Sequence, residues 1–199
     1  MEHERTKRDQ TASGPSIERH FGWSDMFVAP EDDPRSEERC HDERQTLVSF
    51  LRDYRHTIRM KCSGLDAQAM ARRSVEPSNL SLLGLVRHLA DVERFWFRRV
   101  MAGTDAAPRF RRDGDRESVF DDVLPEPQMV DEAWSAWAEE VQFAERFVDE
   151  AQDFDVAGVI AGDRDISLRE VLVHMIEEYA RHCGHADLLR ERIDGRVGQ

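Results

Sequence analysis

Four stretches of the chain carry apolar residues at alternating steps of three and four, the period of an α-helix with one buried face. The first predicted helix runs from about Asp42 to Gly64, with Leu47, Leu51, Tyr54, Ile58 and Cys62 on one stripe that reaches Leu65. Glycine stops it, because only glycine enters the left-handed conformation without strain. The second starts near Asn79 or Ser81 and runs to Ala102, with Leu82, Leu85, Leu89, Val92 and Trp96 facing inward and Gly103 beyond its end. The third spans about Met129 to Ala151, with Val130, Trp134, Trp137, Val141, Ala144 and Val148 in step. The fourth opens at Ser167-Leu-Arg-Glu170 and closes at Ile193-Asp-Gly195. Its opening is a capping box, in which serine and glutamate each satisfy a free backbone N–H of the first turn.

No stretch alternates apolar and polar residues as a half-buried strand does, so 103–128 and 152–166 read as loops. The longer one holds Pro108, Pro125 and Pro127, with Phe110 and Phe120 as anchors. A connection of that length serves as a lid or a long crossover. The pattern predicts an all-α four-helix bundle over residues 41–199. Residues 1–40 are polar and charged, include Pro30-Glu-Asp-Asp-Pro34, and read as a mostly disordered tail. Within them Phe21, Trp23, Met26, Phe27 and Val28 form a short apolar piece, expected to dock on the domain or on a partner.

Charge narrows the partners. The 199 residues carry a formal net charge of −13, and an acidic surface repels phosphate backbones, so no nucleic-acid partner is expected. No run of apolar residues is long enough to span a membrane, and the N-terminus lacks the apolar core of a signal peptide. Cys40, Cys62 and Cys183 are odd in number and form no C-x-x-C pair, which fits reduced thiols in a cytoplasm.

The fourth helix carries the chemistry. Its seam steps through Leu168, Val171, Met175, Glu178, His182, His185 and Leu189, apolar at both ends and ionisable in the middle. Burying a carboxylate there is costly unless something pairs with it, and a divalent metal is one such partner. His174 and His182 are eight positions apart, about 12 Å along a helix, too far for one ion with bonds near 2.1 Å. An ion therefore takes His174 with Glu178, or Glu178 with His182, plus a ligand from another helix. His88, bordering the second stripe, is the natural third. Without a metal, Glu178 would pair with an arginine and His182 would be a hydrogen-bonded core histidine. Two histidines and a carboxylate leave coordination positions open and suit zinc, nickel or iron. Cys183 lies about 100° round the helix from His182 and reads as a packed thiol. Asp187 and Arg190 read as a local pair, and the run Arg109-Phe-Arg-Arg-Asp-Gly-Asp-Arg116 as a solvated loop, with binding of an anionic substrate or thiol cofactor as its alternative.

The segments Leu82-Leu-Gly-Leu-Val-Arg-His-Leu-Ala-Asp-Val-Glu-Arg-Phe-Trp-Phe97 and His174-Met-Ile-Glu-Glu-Tyr-Ala-Arg-His-Cys-Gly-His-Ala-Asp-Leu-Leu-Arg-Glu-Arg-Ile-Asp-Gly195 resemble the DinB-like superfamily, above all its actinobacterial branch of uncharacterised function. The resemblance covers roughly residues 42–198. It implies a four-helix bundle with a long crossover, often paired as a homodimer, and a metal held by His88, Glu178 and His182. Many members have histidine where this chain has Glu178. The His-Glu-His set resembles the mycothiol-dependent maleylpyruvate isomerase branch. His185 falls where relatives carry glutamine, so His185 and His174 are expected beside the metal as groups that orient water or move protons.

The function this implies is a divalent-metal-dependent enzyme that uses a low-molecular-weight thiol such as mycothiol for S-transfer or isomerisation. Its partners would be a small electrophile or a thiol adduct. Two alternatives stand beside it: a zinc-hydroxide hydrolase, and a non-enzymatic metal-stabilised protein of stress response or protein interaction.

Overall fold

The structure is a computed structural model, and it describes residues 27–35, 39–160 and 164–198. Four long helices form the body. α1 is Glu43–Cys62, α2 a short turn at Ala67–Ala71, and α3 is Leu82–Glu93, continued by a π-helical stretch over Arg94–Met101. α4 is Ser118–Asp121, α5 is Pro127–Glu150 and α6 is Leu168–Asp194. A hairpin of β1 (Ala157–Ile160) and β2 (Arg164–Ser167) joins α5 to α6. α1 lies along α6 and α3 along α5, and α3 also touches α6. The fold is thus all-α, with 102–126 as the long crossover between α3 and α5.

Local chemistry accounts for the helix ends. Asp42 caps α1 by accepting from Gln45 N at 2.7 Å, and Ser81 caps α3 through Gly84 N at 3.1 Å. The Ser167–Glu170 capping box of α6 is present in both directions. Gly195 ends α6 in the left-handed conformation at φ 81°.

Three details depart from the sequence reading. First, Val92 and Trp96 are only half-buried, whereas Glu93 and Phe97 are fully buried. Inward positions of this helix step by four through Leu85, Leu89, Glu93, Phe97 and Met101. The π-helical stretch, with i→i+5 bonding, widens the turn enough to keep that step facing the core. Second, the expected loop at 152–166 contains the hairpin. Its Gly158 lies so close to α3's end that an added Cβ would stand 2.7 Å from the Val100 carbonyl oxygen. Third, Asp187 and Arg190 do not pair. Asp187 bonds Lys61, while Arg190, 2 % exposed, turns inward and donates to the carbonyls of Lys61 and Ser63 at 3.0 and 2.8 Å. Those carbonyls belong to the end of α1, where no later helical N–H reaches them.

Of the tail, residues 1–26 and 36–38 lie outside the described residues, so most of the apolar piece from Phe21 is not described. Phe27 is buried, its ring 5.2 Å from the Arg190 guanidinium and 5.4 Å from the Lys61 ammonium. Among the described residues no helix is long and apolar enough to cross a membrane.

Candidate metal centre

α3 and α6 bring His88, Glu178 and His182 together across the bundle, with one ligand atom from each within 4.8 Å of the others. Glu178 Oε1 lies 2.9 Å from His88 Nε2 and 3.3 Å from His182 Nε2. Glu178 and His182 meet because positions four apart share a helix face. Hydrogen bonds from His182, then from His88, hold the Glu178 carboxyl far below the ordinary carboxylate range, against a burial effect that opposes them. Arg181 is a distant competitor at 3.7 Å from Glu178 Oε2, its side chain 66 % exposed.

The donor set fits a divalent ion. Around one ion with bonds near 2.1 Å, adjacent ligand atoms stand about 3.0 Å apart in an octahedron and about 3.4 Å in a tetrahedron. The two distances from Glu178, 2.9 and 3.3 Å, lie close to those values. Two imidazoles and one carboxylate are also the donor types that zinc, nickel and iron accept.

Neighbouring rings hold the two imidazoles in place. His185 Nδ1 is 3.2 Å from His182 Nδ1. A neutral His182 with Nε2 free to ligate carries its proton on Nδ1 and donates it to His185. Burial, then the nearby His182, lowers the His185 pKa, which suits the acceptor role. Phe120 of α4 lies against His88, ring centroids 5.4 Å apart, so the crossover covers one side of the centre. His174 is not one of the three clustered residues, and its ring lies against Trp96 with centroids 4.7 Å apart. Cys183 is buried, and that burial pushes its thiol up to about 12.

Below the triad a buried network ties the same helices. Glu93 of α3 accepts from Arg55 Nε and Nη2 of α1, both at 2.8 Å, and from the Tyr179 hydroxyl of α6 at 2.8 Å. Trp137 Nε1 of α5 donates to the same hydroxyl at 2.7 Å. All four long helices thus meet one residue after Glu178. Sequence reasoning missed Glu93, whose partners Arg55 and Tyr179 come from two other helices; its step of four from Leu89 was the available signal.

Beside His88 opens a cavity of about 280 Å³. Val92, Phe95 and Trp96 give it an apolar wall, and Arg99, Arg111 and Arg116 give it charge. The Arg109–Arg116 run is therefore divided. Arg109 pairs with Glu139 and Glu140, and Arg112 with Asp115 and Asp122, while Arg111 and Arg116 line the cavity.

Comparison with known proteins decides the family. The mycothiol S-transferase family profile matches residues 46–195, which contain the triad and all of the bundle but the first residues of α1. The chain belongs to the mycothiol S-transferase family. The family is DinB-like, as the two quoted segments led us to expect. A crystal structure of a conserved protein from Enterococcus faecalis is similar to this transferase-family chain, with a TM-score of 0.55 and 16 % identity. It covers 78 % of this chain and 99 % of its own, a likeness that shows the fold alone. No curated protein sequence matches.

Proposed function

We propose that this mycothiol S-transferase family member holds a divalent metal, zinc by preference, on His88, Glu178 and His182, and uses it to transfer a low-molecular-weight thiol of the mycothiol type to a small electrophile. The observation that carries the reading is the convergence of two imidazole nitrogens on one carboxylate oxygen beside a cavity. A divalent cation at that place supplies Lewis acidity, which favours the deprotonated form of a ligating thiol. His88 and His182 are held in position from both sides, by Phe120 and by His185. His185 takes up the Nδ1 proton of His182 as a hydrogen-bond acceptor and fixes its tautomer. His174 packs against Trp96 in the cavity wall and from there would orient water or move a proton.

In the reaction the thiol sulfur forms a C–S bond to the electrophilic carbon. The leaving group departs with the bonding pair, and the thiol proton passes to solvent. The buried cysteines take no part, since Cys62 and Cys183 are both pushed up to about 12 by burial.

The test is turnover of chlorodinitrobenzene with mycothiol, followed by thioether absorbance. The expected result is a rate that needs both thiol and metal and is lost in His182→Ala. A rate that persists without thiol would favour the metal-hydroxide hydrolase reading instead. No turnover across a broad panel of electrophiles would leave a metal-stabilised, non-enzymatic bundle.

A further inference from the structure

The wall of the cavity beside His88 carries charge that the protein leaves unused. Four arginines line it: Arg94, Arg99, Arg111 and Arg116. Arg94 is already engaged, donating to Glu140 at 2.8 Å and to the Ala107 carbonyl at 2.8 Å. Arg99, Arg111 and Arg116 have no ion-pair partner among the described residues. The other arginines of this region do pair: Arg98 and Arg109 with Glu139 and Glu140, Arg112 with Asp115 and Asp122. In a chain of net charge −13, with 41 acidic residues against 28 basic ones, three guanidiniums with no ion pair among the described residues are gathered on the lining of one cavity.

The one carboxylate in the lining makes no ion pair with them among the described residues. Asp91 faces the backbone N–H groups of Arg109, Phe110 and Arg111, at 2.6, 3.2 and 2.9 Å, and so is committed to holding the crossover in place. The same contacts bring Arg111 to the cavity. Val92, Phe95 and Trp96 add an apolar and aromatic surface to the same lining. A guanidinium binds a carboxylate through paired N–H donors, and an apolar wall takes up the body of the molecule. The cavity meets the metal centre only at His88, since Glu178 and His182 are not among its lining residues. A thiol at the metal would therefore leave the arginine side for the second reactant.

We propose that the acceptor in this cavity is a small carboxylate-bearing electrophile, its carboxylate on Arg99, Arg111 and Arg116 and its apolar part against Trp96 and Phe95. This rests on the transferase reading for the word electrophile; the anion site itself rests on the arginines.

The test is calorimetric titration of the full-length protein as purified with cinnamate and with cinnamide, which share a skeleton and differ in charge. Cinnamate should bind at least about tenfold more tightly than cinnamide. The triple variant R99Q/R111Q/R116Q should lose about tenfold for cinnamate and nothing for cinnamide. These three side chains are exposed and make no ion pair among the described residues, so the substitutions break no contact of that kind there. A charge-matched triple elsewhere on the surface, R72Q/R146Q/R192Q, should keep the native affinity. Equal binding of the two probes, no binding of either, an unchanged triple variant, or equal losses in both triples would each overturn the proposal. An unchanged triple variant would include the case in which the carboxylate lands on the metal. The titration needs neither thiol nor turnover, so a failed transferase assay leaves its outcome standing.

Discussion

Replacing Glu93 by glutamine should be the most damaging conservative change in the bundle. The Glu93 side chain is 0 % exposed and that of Arg55 7 %, so the pair sits out of water. Glu93 accepts three hydrogen bonds of 2.8 Å, two from Arg55 and one from Tyr179. The amide of glutamine turns one acceptor into a donor that faces other donors, and it leaves the buried Arg55 charge with only the half-exposed Glu145, 3.7 Å away, as a counter-ion. Breaking a buried pair from one side costs about 3–5 kcal/mol. For a chain of this size each kcal/mol lowers the melting temperature by about 2–4 °C, so a fall of roughly 6–20 °C is expected. Urea denaturation and calorimetry on E93Q, R55M and the double variant would measure it. The double variant should be less destabilised than the sum of the singles by more than about 1 kcal/mol, because it strands no charge. A loss below about 1 kcal/mol in E93Q would refute the reasoning, since the pair would then be hydrated and the helices held by apolar packing alone.

The cysteines and the ligand carboxylate give two further tests. Cys62 and Cys183 are buried and both pushed up to about 12 by that burial, whereas Cys40 is half-exposed; iodoacetamide at pH 8 should label one thiol per native chain, read by mass spectrometry, and prompt labelling of three would contradict the packing. In metal-free protein the depressed Glu178 carboxyl adds stability that is present above the ordinary carboxylate value, about 4.3, and is lost as pH falls through the lower folded value. The stability gap between the native chain and E178Q should therefore shrink on going from pH 7 to pH 3, and a gap independent of pH would contradict the assignment.

The long helices were legible because their signals are local. A capping box, a stopping glycine and a step of three and four lie within a few residues of one another, and α1, α3, α5 and α6 follow them closely. The inward register of α3 past Leu89 was not legible, because the period drifts where the π-helical stretch begins and Val92 gives way to Glu93. The hairpin escaped notice for a related reason: four-residue strands with Gly158 at a close approach and Asp165 in the pairing show no alternation. Glu93 and Glu140 are buried by arginines from other elements, which spacing along one helix cannot reveal. Glu178 and His182 were legible for the opposite reason, since ionisable residues four apart on an otherwise apolar seam stand out. Spacing left the choice between His174 and His182 open; the geometry groups His88, Glu178 and His182 and sets His174 on Trp96.

The central claim is that His88, Glu178 and His182 hold one divalent ion. Inductively coupled plasma mass spectrometry on natively purified protein, beside His88→Ala and His182→Ala, tests it most directly. We predict about one zinc, nickel or iron per chain in the native protein and loss of that metal in both variants, with the helical circular dichroism retained. A native protein that contains no metal even after reconstitution, or variants that keep it in full, would contradict the account and leave the triad as a hydrogen-bonded structural cluster.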